Sequence, residues 1–215
     1  MINMLIRIAP LTELASQIIA EAAPLDTRWD LVDECFHAWA AQPNLRAALR
    51  DHVHDLAPAQ AQDVINRSRE TTTHFAWCLR DQPDEPFTFW LHEYKPQRDW
   101  RPGYADSVHN HRYHFCTTIG RGGYLHEHYR AEIDPATSLV TGAELMASQP
   151  YEVGAVGTMR STEFHRIPVA DDATMTFLVK SRALTDWSLS FDPNTQVSHK
   201  HVPVESRLDE LVRRI

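Results

Sequence analysis

The stretch between residues 71 and 190 constrains the fold most, because it consists of short runs in which apolar and polar residues alternate. Residues 87–92 and 174–179 show this period of two clearly, and Thr, Phe, Trp, Tyr and Val are frequent throughout. Side chains of a β-strand alternate between the two faces of a sheet, so such runs predict strands. Turn signals separate the runs, as in 82–84 and 120–123. About eight to ten short strands are expected, which is typical of an all-β barrel or sandwich.

The first 70 residues have a different pattern, with apolar positions at helical spacing. Between Leu45 and Leu56 these positions follow the i, i+3, i+4, i+7 template of an amphipathic helix, and Pro58 marks the start of the next helix. A last amphipathic helix is expected at the C-terminus. The predicted organisation is a helical layer over 1–70, a barrel with the functional site over 71–192, and a tail with a helix over 193–215. All three are expected to form a single folding unit.

Composition and charge narrow the class of protein. The net charge of −8 argues against a chain whose main task is to bind nucleic acid. Three widely spaced cysteines form neither a CxxC pair nor a disulfide framework, and no apolar stretch approaches the roughly 20 residues of a membrane span. We therefore predict a cytoplasmic protein, monomeric or homodimeric, with no nucleic-acid or membrane partner.

A histidine motif lies in the middle of the strand-rich region. Gly103 is followed, after five residues, by His109 and His111. Residues two apart in a strand point to the same face, so both imidazoles can aim into a barrel and bind one metal ion. A third ligand has to come from elsewhere in the chain. His165 is a candidate, because it follows Gly154 after ten intervening residues and lies in a run of strand character.

These two segments resemble the two sequence motifs of the cupin superfamily, GxxxxxHxH and a glycine-led strand that ends in one histidine. The resemblance implies a mainly β fold, the cupin double-stranded β-helix barrel, with the N-terminal helices packed outside it and a short C-terminal helix. It also implies that His109, His111 and His165 converge on one metal ion. Fe(II) is the expected metal, and Zn, Ni or Mn are alternatives for the same site.

Within the superfamily, the chain resembles the cysteine dioxygenase group of thiol dioxygenases. Cys116 stands five residues after the HxH motif, where many cupins have a glutamate, and the run 165–167 resembles the last histidine motif of the group. This resemblance implies an Fe(II)-dependent dioxygenase that acts with O₂ on a small thiol or amino-acid-like substrate. Two features of the group are missing: its carboxylate-binding arginine falls near Trp77, and its Ser-x-His-x-Tyr strand is replaced by Thr176, Leu178 and Lys180.

Further pocket residues follow from strand parity and from this placement. Residues 126–128 form a second HxH, and its histidines are candidates for acid–base function or for the solvent-facing edge of a strand. Tyr113 is a third catalytic candidate, although no catalytic residue is firmly assigned. Cys116 could line the pocket or be a small buried apolar residue, and Lys180 could face inward, where it needs an anionic partner, or outward. The predicted substrate pocket comprises Cys116, Phe115, Trp77, Thr176, Leu178 and Lys180.

Two other functions remain open at this point. In one, the metal acts as a Lewis acid in an isomerase, lyase or hydrolase that does not use O₂, and His126, His128 or Tyr113 moves protons. In the other, the barrel binds a ligand without catalysis.

Overall fold

The computed structural model of this protein describes residues 11–20, 28–203 and 207–215, with only the backbone described at 209 and 210. Its helices agree with the periodicity of the sequence. Two short 3₁₀ turns, Gln97–Asp99 and Tyr104–Asp106, lie between strands. The α-helices are α1 (Leu11–Ala20), α2 (Trp29–Ala40), α3 (Leu45–His54), α4 (Pro58–Arg67) and α5 (Leu208–Arg214).

Twelve strands follow from residue 69 onwards in the described chain. The strands are β1 (Arg69–Glu70), β2 (His74–Arg80), β3 (Phe87–Tyr94), β4 (Val108–His109), β5 (Phe115–Arg121), β6 (Gly123–Ile133), β7 (Val140–Glu152), β8 (Val156–Met159), β9 (Phe164–Ala170), β10 (Met175–Ser181), β11 (Ser188–Asp192) and β12 (Val197–His201).

These strands form two six-stranded sheets. Sheet I has the order β1-β2-β3-β10-β5-β8, and sheet II has the order β12-β11-β4-β9-β6-β7. Every pairing is antiparallel, and the chain passes between the sheets after β3, β4, β5, β7, β8, β9 and β10. Side chains from both sheets line one cavity between them. The predicted fold class is therefore confirmed: a mainly β barrel of the double-stranded β-helix kind, with N-terminal helices outside and a short C-terminal helix.

Sheet I is buried on both faces. Its outer face packs against the N-terminal helices, where Phe89 and Phe177 join Phe36 and Trp39 of α2 in one core. Its inner face carries a second, smaller core that faces the barrel interior. Consecutive side chains of a strand point to opposite faces of a sheet, so β10 contributes side chains to both cores. Phe177 therefore belongs to the outer core, and Leu178 belongs to the inner one.

The sheets extend beyond the range 71–192 at both ends. β1 pairs with β2, and β12 pairs with β11 over five residue pairs. β12 reads Val-Ser-His-Lys-His and is mostly exposed. Because it has one apolar residue among five, no alternation of apolar and polar residues predicts a strand here. The last helix, α5, lies where the C-terminal periodicity placed it.

The helices of this protein are short. The longest one in the described chain, α2, has 12 residues. Over residues 11–20, 28–203 and 207–215, no helix has the length and apolar character that crossing a membrane requires.

Candidate metal centre

His109 is the last residue of β4, and its side chain is buried. Its Nδ1 lies 2.8 Å from the carbonyl oxygen of Ser107. A carbonyl oxygen can only accept, so the proton of the neutral ring resides on Nδ1 and the Nε2 lone pair is free to bind a metal. Burial lowers the pKa of His109 to about 4. The ring is therefore neutral, and thus competent as a ligand, over the physiological pH range.

His111 lies just beyond β4, at the bend where the chain crosses from sheet II to sheet I. The two histidines of the motif do not share one continuous strand, which differs from the sequence prediction. Asn110 between them fixes the bend instead: its side-chain amide donates to the Ser161 carbonyl at 3.0 Å, and its Oδ1 accepts from the Leu189 amide at 2.7 Å. Sequence reasoning missed this role of Asn110, because both partners are more than 50 residues away.

His165 is brought to the motif by strand pairing. β9 lies beside β4, and His165 stands opposite His109 in their register. The Nε2 atoms of His165 and His111 are 2.9 Å apart, and burial lowers the pKa of both residues well below its usual value. The chain thus places the three predicted ligands together, although 54 residues separate His111 from His165.

The three imidazoles fit a mononuclear metal ion. Their ligand atoms all lie within 4.8 Å of one another. Nitrogens bound at about 2.1 Å and at right angles to each other lie about 3 Å apart, close to the separation of the His111 and His165 Nε2 atoms. Neutral imidazole is the form that binds metal, and burial keeps these rings neutral. The donor set therefore suits a divalent first-row metal.

The second HxH faces the interior and touches this cluster. In sheet II, β6 lies beside β9, and His128 stands opposite His165 in the register. Nε2 of His126 is 2.8 Å from Nδ1 of His165. If Nε2 of His165 binds the metal, its Nδ1–H donates to His126, which orients the ligand ring. Burial lowers the pKa of His126 to about 3, so His126 remains a neutral acceptor.

Replacement of His126 by leucine is expected to weaken metal binding about 10- to 100-fold, because the imidazole of His165 loses its orienting acceptor. Replacement by glutamine, which has an acceptor oxygen, should recover part of the loss. Competition with a metal-sensitive chelator measures the affinity, and His54→Leu on the exposed face of α3 is the control. An unchanged affinity in His126→Leu would contradict this orienting role.

The cluster lies in the wall of a cavity of 260 Å³ between the sheets. The cavity is mainly apolar and aromatic, and no aspartate or glutamate is among the described residues that line it. Tyr113 stacks on His111, with 5.1 Å between ring centroids, and Phe115 meets the same ring edge-on. The predicted candidates that line this cavity are Tyr113, Phe115, His126, His128, Thr176 and Leu178.

Two predicted pocket residues lie outside the barrel instead. Cys116 points to the N-terminal helices, with its Sγ 3.5 Å from Oδ1 of Asp33 in α2. Trp77 also packs on the outer side of sheet I and donates to Glu93 at 3.3 Å. In both cases strand parity is the reason, because the inward positions are taken by Phe115 and by Ala76. Burial raises the pKa of the Cys116 thiol, which makes it an unreactive core residue.

Lys180 points inward and is only 3% exposed, but its ammonium lies beside the cavity wall rather than in the wall itself.

Two wall residues that sequence reasoning did not single out are His74 and His92. Their rings stack at 4.3 Å between centroids, and burial lowers the pKa of His74 to about 3. The only available signal was parity, since both residues alternate with outward-facing residues of β2 and β3.

No protein-family model matches the chain, and no curated protein matches it in sequence. The structure is similar to an oxalate decarboxylase from Bacillus subtilis (15% identity, 55% of this chain and 28% of that chain, TM-score 0.37). It is also similar to a 7S globulin from Momordica charantia (12%, 63% and 35%, TM-score 0.39) and to a vicilin from Corylus avellana (10%, 54% and 30%, TM-score 0.38). The matches span 28–35% of these three chains, and no conclusion about activity follows from them.

Proposed function

We propose that this chain is a mononuclear metalloenzyme, an Fe(II)-dependent dioxygenase that acts with O₂ on a small thiol or amino-acid-like substrate. One observation carries the proposal: three neutral histidines converge in the wall of a cavity between the sheets whose described lining contains no carboxylate. Such a donor set leaves the full charge of a divalent ion in the site, which favours an anionic substrate group.

His109, His111 and His165 would hold the metal. When bound, Fe(II) would supply a redox-active centre with open positions for substrate and O₂. The protein supplies position and environment. The bend that presents His111 is fixed by the Asn110 side chain, which donates to Ser161 and accepts from Leu189, and His126 orients His165. Most of the cavity surface is apolar, which strengthens electrostatic interactions inside it relative to water.

The groups available for proton transfer also favour this reaction class. A Lewis-acid enzyme needs a general acid or base within reach of the substrate, and His126 is engaged with His165. The hydroxyl of Tyr113 is also a poor acid, because burial raises its pKa. Oxygenation at a redox-active metal depends less on such groups.

A second candidate rests on His128. This histidine lines the cavity opposite His165 and could move a proton in an isomerase, lyase or hydrolase that does not use O₂. In that case Zn, Ni or Mn in the same site would support the reaction.

Elemental analysis of protein produced with iron available, followed by an oxygen-electrode screen of thiols and amino acids, tests the proposal. We expect about one iron per chain and substrate-dependent O₂ consumption. The His111→Ala variant should lose both, whereas the exposed His54→Ala variant should retain both. Stoichiometric zinc without O₂ uptake after iron reconstitution would reject the dioxygenase. Full turnover under strict anaerobiosis would support the second candidate.

A further inference from the structure

Lys180 is a buried lysine without an acidic partner in the described chain. Its side chain belongs to β10 and is 3% exposed. Nζ lies 3.3 Å from Nε2 of His92, 4.4 Å from the centroid of the Trp90 ring and 5.1 Å from that of Tyr113. Within the described parts of the chain, no aspartate or glutamate forms an ion pair with Lys180.

The other buried lysine of the described chain directly follows β3 and shows how such a charge can be compensated. Lys95, 6% exposed, donates to Oε1 of Glu70 and to the carbonyl oxygen of Thr71, each at 2.5 Å. The buried Glu85 is likewise paired with Arg80. A buried charge without a counter-charge is costly, and Lys180 differs in this respect from Lys95 and Glu85, the other buried lysine and acidic residue of the described chain.

The position of Lys180 relative to the cavity suggests where its counter-charge comes from. Two of its contacts, His92 and Tyr113, are themselves cavity-lining residues. Tyr113 also stacks on His111, again with 5.1 Å between ring centroids. One aromatic side chain therefore contacts both the candidate metal centre and the ammonium of Lys180. A short molecule in the cavity that contacts His92 and Tyr113 therefore lies next to Lys180, whose side chain has to turn past these two residues to bind it directly.

We propose that Lys180 and His92 form an anion-binding pole of the cavity, which takes the carboxylate of a small substrate whose other end approaches the three-histidine cluster. A carboxylate fits better than a dianionic phosphate, because no lysine or arginine is among the described residues that line the cavity, so Lys180 beside the wall offers one ammonium group. The part of this inference that directs the other end of the substrate to the three-histidine cluster rests on the proposed function. The carboxylate-binding pole itself does not.

The pole differs from what the resemblance implied. In the thiol dioxygenase group, the carboxylate-binding arginine falls near the position of Trp77 on β2. In this structure that position faces the helices. Here the cation comes from β10, and β3 supplies its imidazole neighbour. Burial lowers the pKa of Lys180 well below its usual value, and a bound carboxylate would restore the charged form.

Calorimetric titration of the full-length, metal-free protein with propionate and with propionamide tests the pole. These probes share size and shape and differ in charge. We expect wild-type protein to bind propionate at least about ten-fold more tightly than propionamide. In Lys180→Met, propionate affinity should fall about ten-fold while propionamide affinity is unchanged. The exposed Lys200→Met variant on β12 should behave as wild type.

Wild-type protein that does not distinguish the two probes would overturn the inference, even if Lys180→Met fails to fold. So would a folded Lys180→Met that retains the preference for propionate. The titration involves neither metal nor O₂. Loss of the pole would therefore leave the oxygen-electrode result standing, and failure of the dioxygenase assay would leave the pole standing.

Discussion

Replacement of His165 by alanine is expected to weaken binding of a divalent metal by about 10²- to 10³-fold. Structural zinc sites with four ligands gain about 10–16 kcal/mol on metal binding, so one ligand accounts for roughly 3–4 kcal/mol. His165 also contacts more of the site than the other two ligands, since its two ring nitrogens lie 2.9 Å from His111 and 2.8 Å from His126. Its removal should release both neighbours as well as one donor.

Chelator competition with Zn²⁺ or Co²⁺ measures this affinity, and His109→Ala should give a loss of the same order. His54→Ala on the surface of α3 provides the matched control. Urea unfolding with excess chelator separates a metal effect from general destabilisation. If folded His165→Ala binds metal as tightly as wild type, then the three histidines are not the metal site.

The metal-free protein is expected to lose stability as the pH falls from about 6.5 to about 4. Burial lowers the pKa of His109 to about 4 and that of His74 and His126 to about 3, from 6.5. Below pH 6.5 these histidines bind protons in the unfolded chain but not in the folded chain, so acid favours unfolding. The stabilisation is complete above pH 6.5. Each such histidine contributes about 1.4 kcal/mol per pH unit within this interval, and several together contribute several kcal/mol.

Urea unfolding at pH values between 7.5 and 4.5, with chelator present, measures the free energy of unfolding directly. His74→Phe removes one titrating group and keeps an aromatic ring against His92, so its slope should be shallower by about 1.4 kcal/mol per pH unit. A free energy of unfolding that stays constant between pH 7.5 and 5 would show that the histidines are not buried in neutral form.

Local patterns were sufficient for much of the architecture. Periods of two and of about 3.6 residues predicted the strands and helices, because each period reports which face of an element is buried. β12 escaped prediction since its stability comes from backbone pairing with β11 and not from a buried face. The bend at Asn110 escaped for a related reason, as its hydrogen-bond partners are distant in sequence.

The pocket residues were harder to predict than the strands. Parity establishes that Phe115 and Cys116 point to opposite sides of β5, but both sides of sheet I are apolar and buried. One side packs on α2 and the other encloses the cavity. Sequence alone cannot tell these two environments apart, so it leaves Cys116 open between the pocket and the core. Trp77 enters the predicted pocket through the resemblance, which places the carboxylate-binding arginine of the thiol dioxygenases near it.

The sequence by itself determined the strand-rich fold class, the outer helices and the residues able to bind a metal, because residue type and spacing are local properties. Tertiary structure decided which of those residues meet. Pairing of β4 with β9 brings His165 to the HxH motif, and pairing of β9 with β6 adds His126. The same packing turns Lys180 inward, where no acidic side chain of the described chain neutralises it. Such proximity depends on contacts between distant segments, so no local pattern contains it.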